Sequence, residues 1–151
     1  MPNPPPRRSR CTVPQTTDLF WREYVDEHHD STIELTDWIE SLQPFAQSSV
    51  LGQIDALLDL AASGQIHAGD ESKLRPIRRD PDLYELKWKL LSKAVRQHHA
   101  EPPHYPDDLV KLHVHIKSMR KTSAETRAAQ DMEISQAQFR YVAGESSEWT
   151  P

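Results

Sequence analysis

The sequence predicts an α+β domain: one strand, an αα-hairpin, a three-stranded antiparallel meander and a C-terminal helix, with the helices on one sheet face. Three observations predict it. Leu109–Lys117 (LVKLHVHIK) alternates without a fault, placing Val110, Leu112, Val114 and Ile116 on one side and Lys111, His113, His115 and Lys117 on the other. Leu83–Leu90 (LYELKWKL) does the same, with Tyr84, Leu86, Trp88 and Leu90 opposed to Glu85, Lys87 and Lys89. Between these and the N-terminus, and again after Ser123, the apolar period lengthens to that of a helix.

Taken in order, residues 1–16 (MPNPPPRRSRCTVPQT) are rich in proline and poor in apolar side chains, which predicts a disordered tail. Leu19–Val25 is aromatic and β-rich and forms the first strand, with 26–31 as its polar exit turn and His28 and His29 solvated. Thr32 can cap a short helix whose stripe is Ile33, Leu35, Trp38, Ile39 and Leu42. Pro44 ends that helix and opens the next, which runs to about Ser63 on Val50, Leu51, Ile54, Leu57, Leu58 and Ala61, with Gly64 as its stop. Residues 65–74 read as a loop before Arg75-Pro76-Ile77-Arg78-Arg79 leads into the 83–90 strand. Val95–Glu101 is a shorter strand carrying Arg96 and His98 on one side, and a proline-rich turn at 102–108 delivers the 109–117 strand. Ser123 caps the final helix, and residues 144–151 form a loose tail. The domain proper spans 17–143.

At 151 residues the chain can bury a core without metal or disulfide staples. Cys11 is the single cysteine, outside the expected core, so no internal disulfide forms; a reducing, cytoplasmic setting is expected. No stretch has the length and apolarity of a membrane span, and the arginine-bearing start lacks the apolar run of a secretory signal. The net charge of −5 is unevenly spread: residues 1–72 hold 4 Lys/Arg and 12 Asp/Glu, residues 73–151 hold 14 and 11. An anionic ligand would therefore meet the later residues. The expected open sheet face carries Lys87, Lys89, Arg96, His98, Lys111, His113, His115 and Lys117, a row without a carboxylate among its strand-109 members. A solvated strand face is the plain alternative.

Ile77-Arg78, then Leu83-Tyr84-Glu85-Leu86-Lys87-Trp88, then Val95-Arg96, Leu109-Val110, Ile116-Lys117, Arg120-Lys121-Thr122, and last Glu133-Ile134, Ala137 and Arg140 together resemble RelE/HigB-type toxins, most closely the phage-derived HigB-like branch. The likeness covers the element order of residues 17–143 and is sharpest over 77–140. It implies a RelE-like fold and a toxin of a type II toxin–antitoxin system: a ribosome-dependent endoribonuclease (mRNA interferase) with messenger RNA, the ribosome and a cognate antitoxin as partners. The implied chemistry uses no metal or cofactor: the ribose 2′-oxygen attacks the adjacent phosphorus while a base, an acid and cations assist. By that likeness Arg96 clamps the scissile phosphate and Lys87 stands at the family's basic strand position, while Lys117 and Lys121 hold flanking phosphates. Lys89, Lys111 and Arg120 join the RNA-binding set. Strand geometry, rather than the resemblance, adds His98, His113 and His115 as candidate proton carriers.

Three other readings use the same residues. A ParE-like relative would inhibit DNA gyrase without cutting RNA, and a degenerate phage protein would keep the fold as an interaction module. A metal site at His113-x-His115 with His98 or His104 has the imidazoles, but no cysteine or carboxylate placed by the sequence completes it, so no metal is expected.

Overall fold

A computed structural model describes residues 8–118 and 122–150. The chain forms β1 (Phe20–Glu23), α1 (Asp30–Glu40), α2 (Pro44–Ala62), β2 (Leu74–Pro76), β3 (Leu83–Leu90), β4 (Lys93–Ala100), β5 (Asp108–Ile116) and α3 (Ser123–Gly144). The sheet has the order β1-β5-β4-β3-β2 and is mixed. β3, β4 and β5 make the antiparallel meander that the alternating stretches predict. β1 joins β5 in parallel, with Trp21 opposite Leu109. β2 falls where the sequence predicts only the end of the 65–74 loop and the lead-in after it; its three residues pair with β3 as an edge strand, where Pro76 needs no ladder partner on its open side.

One expectation fails in a way that decides where the site lies. The helices do not share a sheet face. Along β5 the pairing slips: His98 faces His113, but His99 faces Lys111, so Leu112 is an extra residue in the ladder. The bulge reverses the side-chain parity of β5 at that point. Val110 and Leu112 therefore lie on the same side as His113 and His115, and Val114 and Ile116 on the other. Both faces become partly apolar, and each requires a helical cover. On one side Leu35, Val50, Leu57 and Ala61 of α1 and α2 pack against Tyr84, Leu86, Trp88, Leu90, Val95 and Leu109. On the other, Ile134, Ala137 and Tyr141 of α3 close over Leu83, Ala100, Val110 and Leu112. Each fully buried leucine here contributes roughly 1.5–3 kcal/mol of transfer free energy.

Residues 8–16 and 144–150 are tied down where the sequence predicts loose tails; residues 1–7 of the predicted disordered tail lie outside the described residues. Arg10–Thr12 is a short 3₁₀ turn, and Cys11 is fully buried rather than outside the core. Its anchors are mostly polar, which is why apolar counting misses them: Glu101 accepts hydrogen bonds from the Ser9 hydroxyl (2.6 Å) and the Arg10 amide (2.7 Å), and the Arg10 guanidinium bonds the carbonyls of Pro102, Tyr105 and Asp108. Gly64 stops α2 at φ +72°, and a Cβ there would lie 1.8 Å from the Val13 carbonyl oxygen, so glycine is required for the N-terminal segment to pass. At the other end Trp149 is buried, stacked on Tyr141 at 5.3 Å with its indole N–H bonded to the Tyr141 carbonyl. Two cap assignments also shift. His29, not Thr32, caps α1 through Nδ1, and Thr122, not Ser123, caps α3.

Candidate functional site

The bulge and α3 together enclose a cluster of imidazoles and carboxylates. His98 projects from β4 beside His113 and His115 of β5, with ring centroids 5.2 Å (His98–His115), 5.2 Å (His113–His115) and 6.1 Å (His98–His113) apart. All three are buried, with 1–3 % of their surface exposed. Two carboxylates serve them. Glu85 of β3 accepts a hydrogen bond from His98 Nε2 at 3.0 Å, and Glu133 of α3 meets His113 Nε2 and stands 3.9 Å from His115 Nδ1. From α1, the Ser31 hydroxyl bonds the second oxygen of Glu133 at 2.9 Å, and the His29 ring abuts His113 edge-on at 5.0 Å. The cluster thus ties α1, α3 and the sheet together.

Burial alone would raise the Glu85 carboxyl. The His98 hydrogen bond and the charges of His98, Arg75 and Arg96 outweigh it and hold Glu85 at about 2. Burial likewise opposes ionisation of Glu133, but the bonds from His113 and Ser31 and the neighbouring rings bring it to about 2. For His115, burial and the adjacent His98 and His113 depress the imidazole to about 3, and burial also lowers His98. Beside an ionised Glu85, which can only accept, His98 Nε2–H is the donor of their hydrogen bond. The Nδ1 atoms of His98 and His115 are buried with no hydrogen-bond partner among the described residues.

Beside this cluster, where β2 and the segment after it run past α3, lies an open groove of about 520 Å³. Arg75, Arg78, Arg79 and Arg127 line it against Glu71 and Asp131, so cations outnumber acids. Arg79 is oriented by α3 through the Asp131 carbonyl and the Ser135 hydroxyl. Arg75 connects groove to cluster, since its guanidinium lies 3.4 Å from Glu85, whose same oxygen is 3.8 Å from Arg96. Lys87 pairs across the ladder with Arg96, and burial together with the charge of Arg75 lowers its ammonium pKa.

The predicted site residues are thus only partly gathered. Arg96, Lys87, His98, His113 and His115 do share the α3 side of the sheet. The expectation of an open face fails, because α3 covers it. Arg96 is mostly buried and bonds the Val95 carbonyl at 3.0 Å. Lys111 belongs elsewhere, with Glu23 at 3.7 Å on the far side of the bulge. Lys89 is exposed and Lys117 half-buried. Arg120 and Lys121 lie outside the described residues. Four contributors were given no role from sequence: Arg75, Arg78 and Arg79, whose density in R-P-I-R-R was the available signal, and Arg127, which had none. Glu133 was unassigned because only the fold brings α3 to β5; it is the carboxylate that the sequence could not supply to the histidines.

A second buried group, Cys11, His99 and Glu101, lies on the α1/α2 side of the sheet. His99 and Glu101 bond at 3.0 Å, Glu101 is further bonded by Ser9 and Arg10, and burial pushes the Cys11 thiol up, so this group holds the N-terminal segment. No helix among the described residues is long and apolar enough to cross a membrane. No family model, curated protein or solved structure matches the chain.

Proposed function

We propose that the protein is the toxin of a type II toxin–antitoxin system, acting on translating ribosomes as an endoribonuclease that cuts messenger RNA by metal-independent attack of the ribose 2′-oxygen. The observation that carries this reading is the arginine groove between β2 and α3, continuous through Arg75 and Glu85 with Arg96. Guanidiniums suit phosphate because their fork bonds two oxygens at once and they stay charged at any working pH. In this reading Arg75, Arg78 and Arg127 hold flanking phosphates. Arg96 exchanges its Glu85 contact for the scissile phosphate, with Lys87 beside it. The element order, one strand, two helices, a meander and a closing helix, fits the RelE/HigB resemblance. Met132, Phe139 and Val142 stand exposed along one flank of α3, a surface suited to an antitoxin partner.

A second reading keeps the fold without the cutting, as a ParE-like gyrase inhibitor or an interaction module. The burial of His98, His113 and His115 favours it, since none of the three reaches solvent to carry a substrate proton. Expression of the full chain without any partner separates the readings. Growth arrest with messenger RNA broken only where it is translated supports the nuclease. Arrest with gyrase-linked DNA breaks replaces it by the ParE-like reading, and unimpeded growth removes both of these and leaves the interaction module.

A further inference from the structure

The sequence offers His113 and His115 to a metal but nothing to complete the set; the fold completes it. From the geometry we infer that His113, His115 and Glu133 form a binding site for one divalent transition ion of the zinc class, tying α3 to β5. This goes beyond the toxin reading and does not depend on it.

The donor atoms of the three residues all lie within 4.8 Å of one another. Ligands on a tetrahedral zinc ion, at about 2.0–2.2 Å from the metal, are separated by roughly 3.3 Å, so closing the set takes side-chain shifts of an ångström or so. Two imidazole nitrogens and one carboxylate oxygen are donors for zinc, iron(II) or cobalt(II) rather than for calcium or magnesium, which take oxygen. The surroundings are those of a ligand set rather than of a simple ion pair. A pair accounts for His113 against Glu133, but it leaves His115 Nδ1 buried, 3.9 Å from the nearest carboxylate oxygen and without a hydrogen bond. His98 Nδ1 is in the same condition, and its other nitrogen is fixed by Glu85. An imidazole held by a carboxylate on one nitrogen and bare on the other is how ligand histidines are oriented. Ser31 steadies Glu133 in the same manner from α1. An ion bound here leaves a fourth position for water or for His98, and it takes the Nε2 lone pair of His113 in place of that ring's hydrogen bond to Glu133.

The test uses the full chain, stripped with chelator and titrated with Zn²⁺ by calorimetry. One equivalent should bind and raise the melting temperature, and Co²⁺ should give visible absorption bands of a nitrogen–oxygen site. Glu133→Gln and His115→Ala should each weaken Zn²⁺ binding by at least roughly tenfold. Absence of saturable binding, or unchanged affinity in both variants, overturns the site. Should the variants not fold, Co²⁺ in the parent protein decides: paramagnetically shifted signals from His113 and His115 support the assignment, and shifts confined to His28, His67 or His104 overturn it. Nuclease activity enters none of these readings, so loss of the toxin reading leaves the site standing and the converse also holds.

Discussion

At the scale of single residues, Arg96 and Glu85 set what the site can do. Arg96 lies between a carboxylate and two backbone carbonyls, so its charge is partly satisfied within the fold rather than displayed. Arg96→Ala should abolish cutting, and Arg96→Lys should fail to restore it, because an ammonium lacks the planar fork; cleavage of a translated message in a reconstituted system checks both. Glu85 makes the opposite kind of prediction, about stability. Its folded pKa of about 2 lies below the ordinary 4.5, so the unfolded chain binds the proton first. The stabilisation is fully present above about pH 5 and is lost as pH falls towards 2, on the order of 3 kcal/mol in all. Denaturant unfolding followed across that window should show the loss, and Glu85→Gln should reduce it, leaving the share of Glu133. Which residues carry cations was legible in the sequence. Which of them are buried was not, because alternation assigns a face without saying what packs on that face.

At the scale of elements, β5 and α3 show where pattern reading stops. The strand itself, its length and its alternation were legible in LVKLHVHIK. The bulge opposite His98 and His99 was not, since an extra residue in a ladder leaves the strand's own pattern intact and appears only in the register with its neighbour. From that slip follow the second apolar face, the position of α3 and the meeting of Glu133 with the histidines. α3 in turn depends on the close approach of its last turn to the C-terminal segment. A Cβ at Gly144 would lie 2.3 Å from Trp149 and 2.8 Å from Tyr24, so Gly144→Ala should destabilise by about 1–3 kcal/mol, read as a lowered denaturation midpoint. The groove belongs to the same element pair. Reversing charge with Arg78→Glu and Arg127→Glu should weaken RNA binding and reduce its salt dependence, with the fold unchanged by circular dichroism.

For the molecule as a whole, one face of the sheet holds a conventional apolar core under α1 and α2, and the other mixes apolar packing with a charged cluster and an arginine groove under α3. The α+β class, the meander and all three helices could be read from periodicity and punctuation. The helical cover on both faces could not, because it follows from the β5 bulge, nor could the anchoring of the N-terminal segment, because polar anchors such as Glu101 and Arg10 act over long sequence distances that composition does not record. The proposed toxin would meet RNA in a groove at the edge of the cation row rather than across an exposed row. Mapping the 5′ ends of one message in a translating extract, with and without the full-length protein, tests that reading most directly. New ends confined to the translated frame, absent with Arg96→Ala and reduced with the groove reversals, are the expected result. An unchanged pattern of ends on a message being actively translated would contradict it.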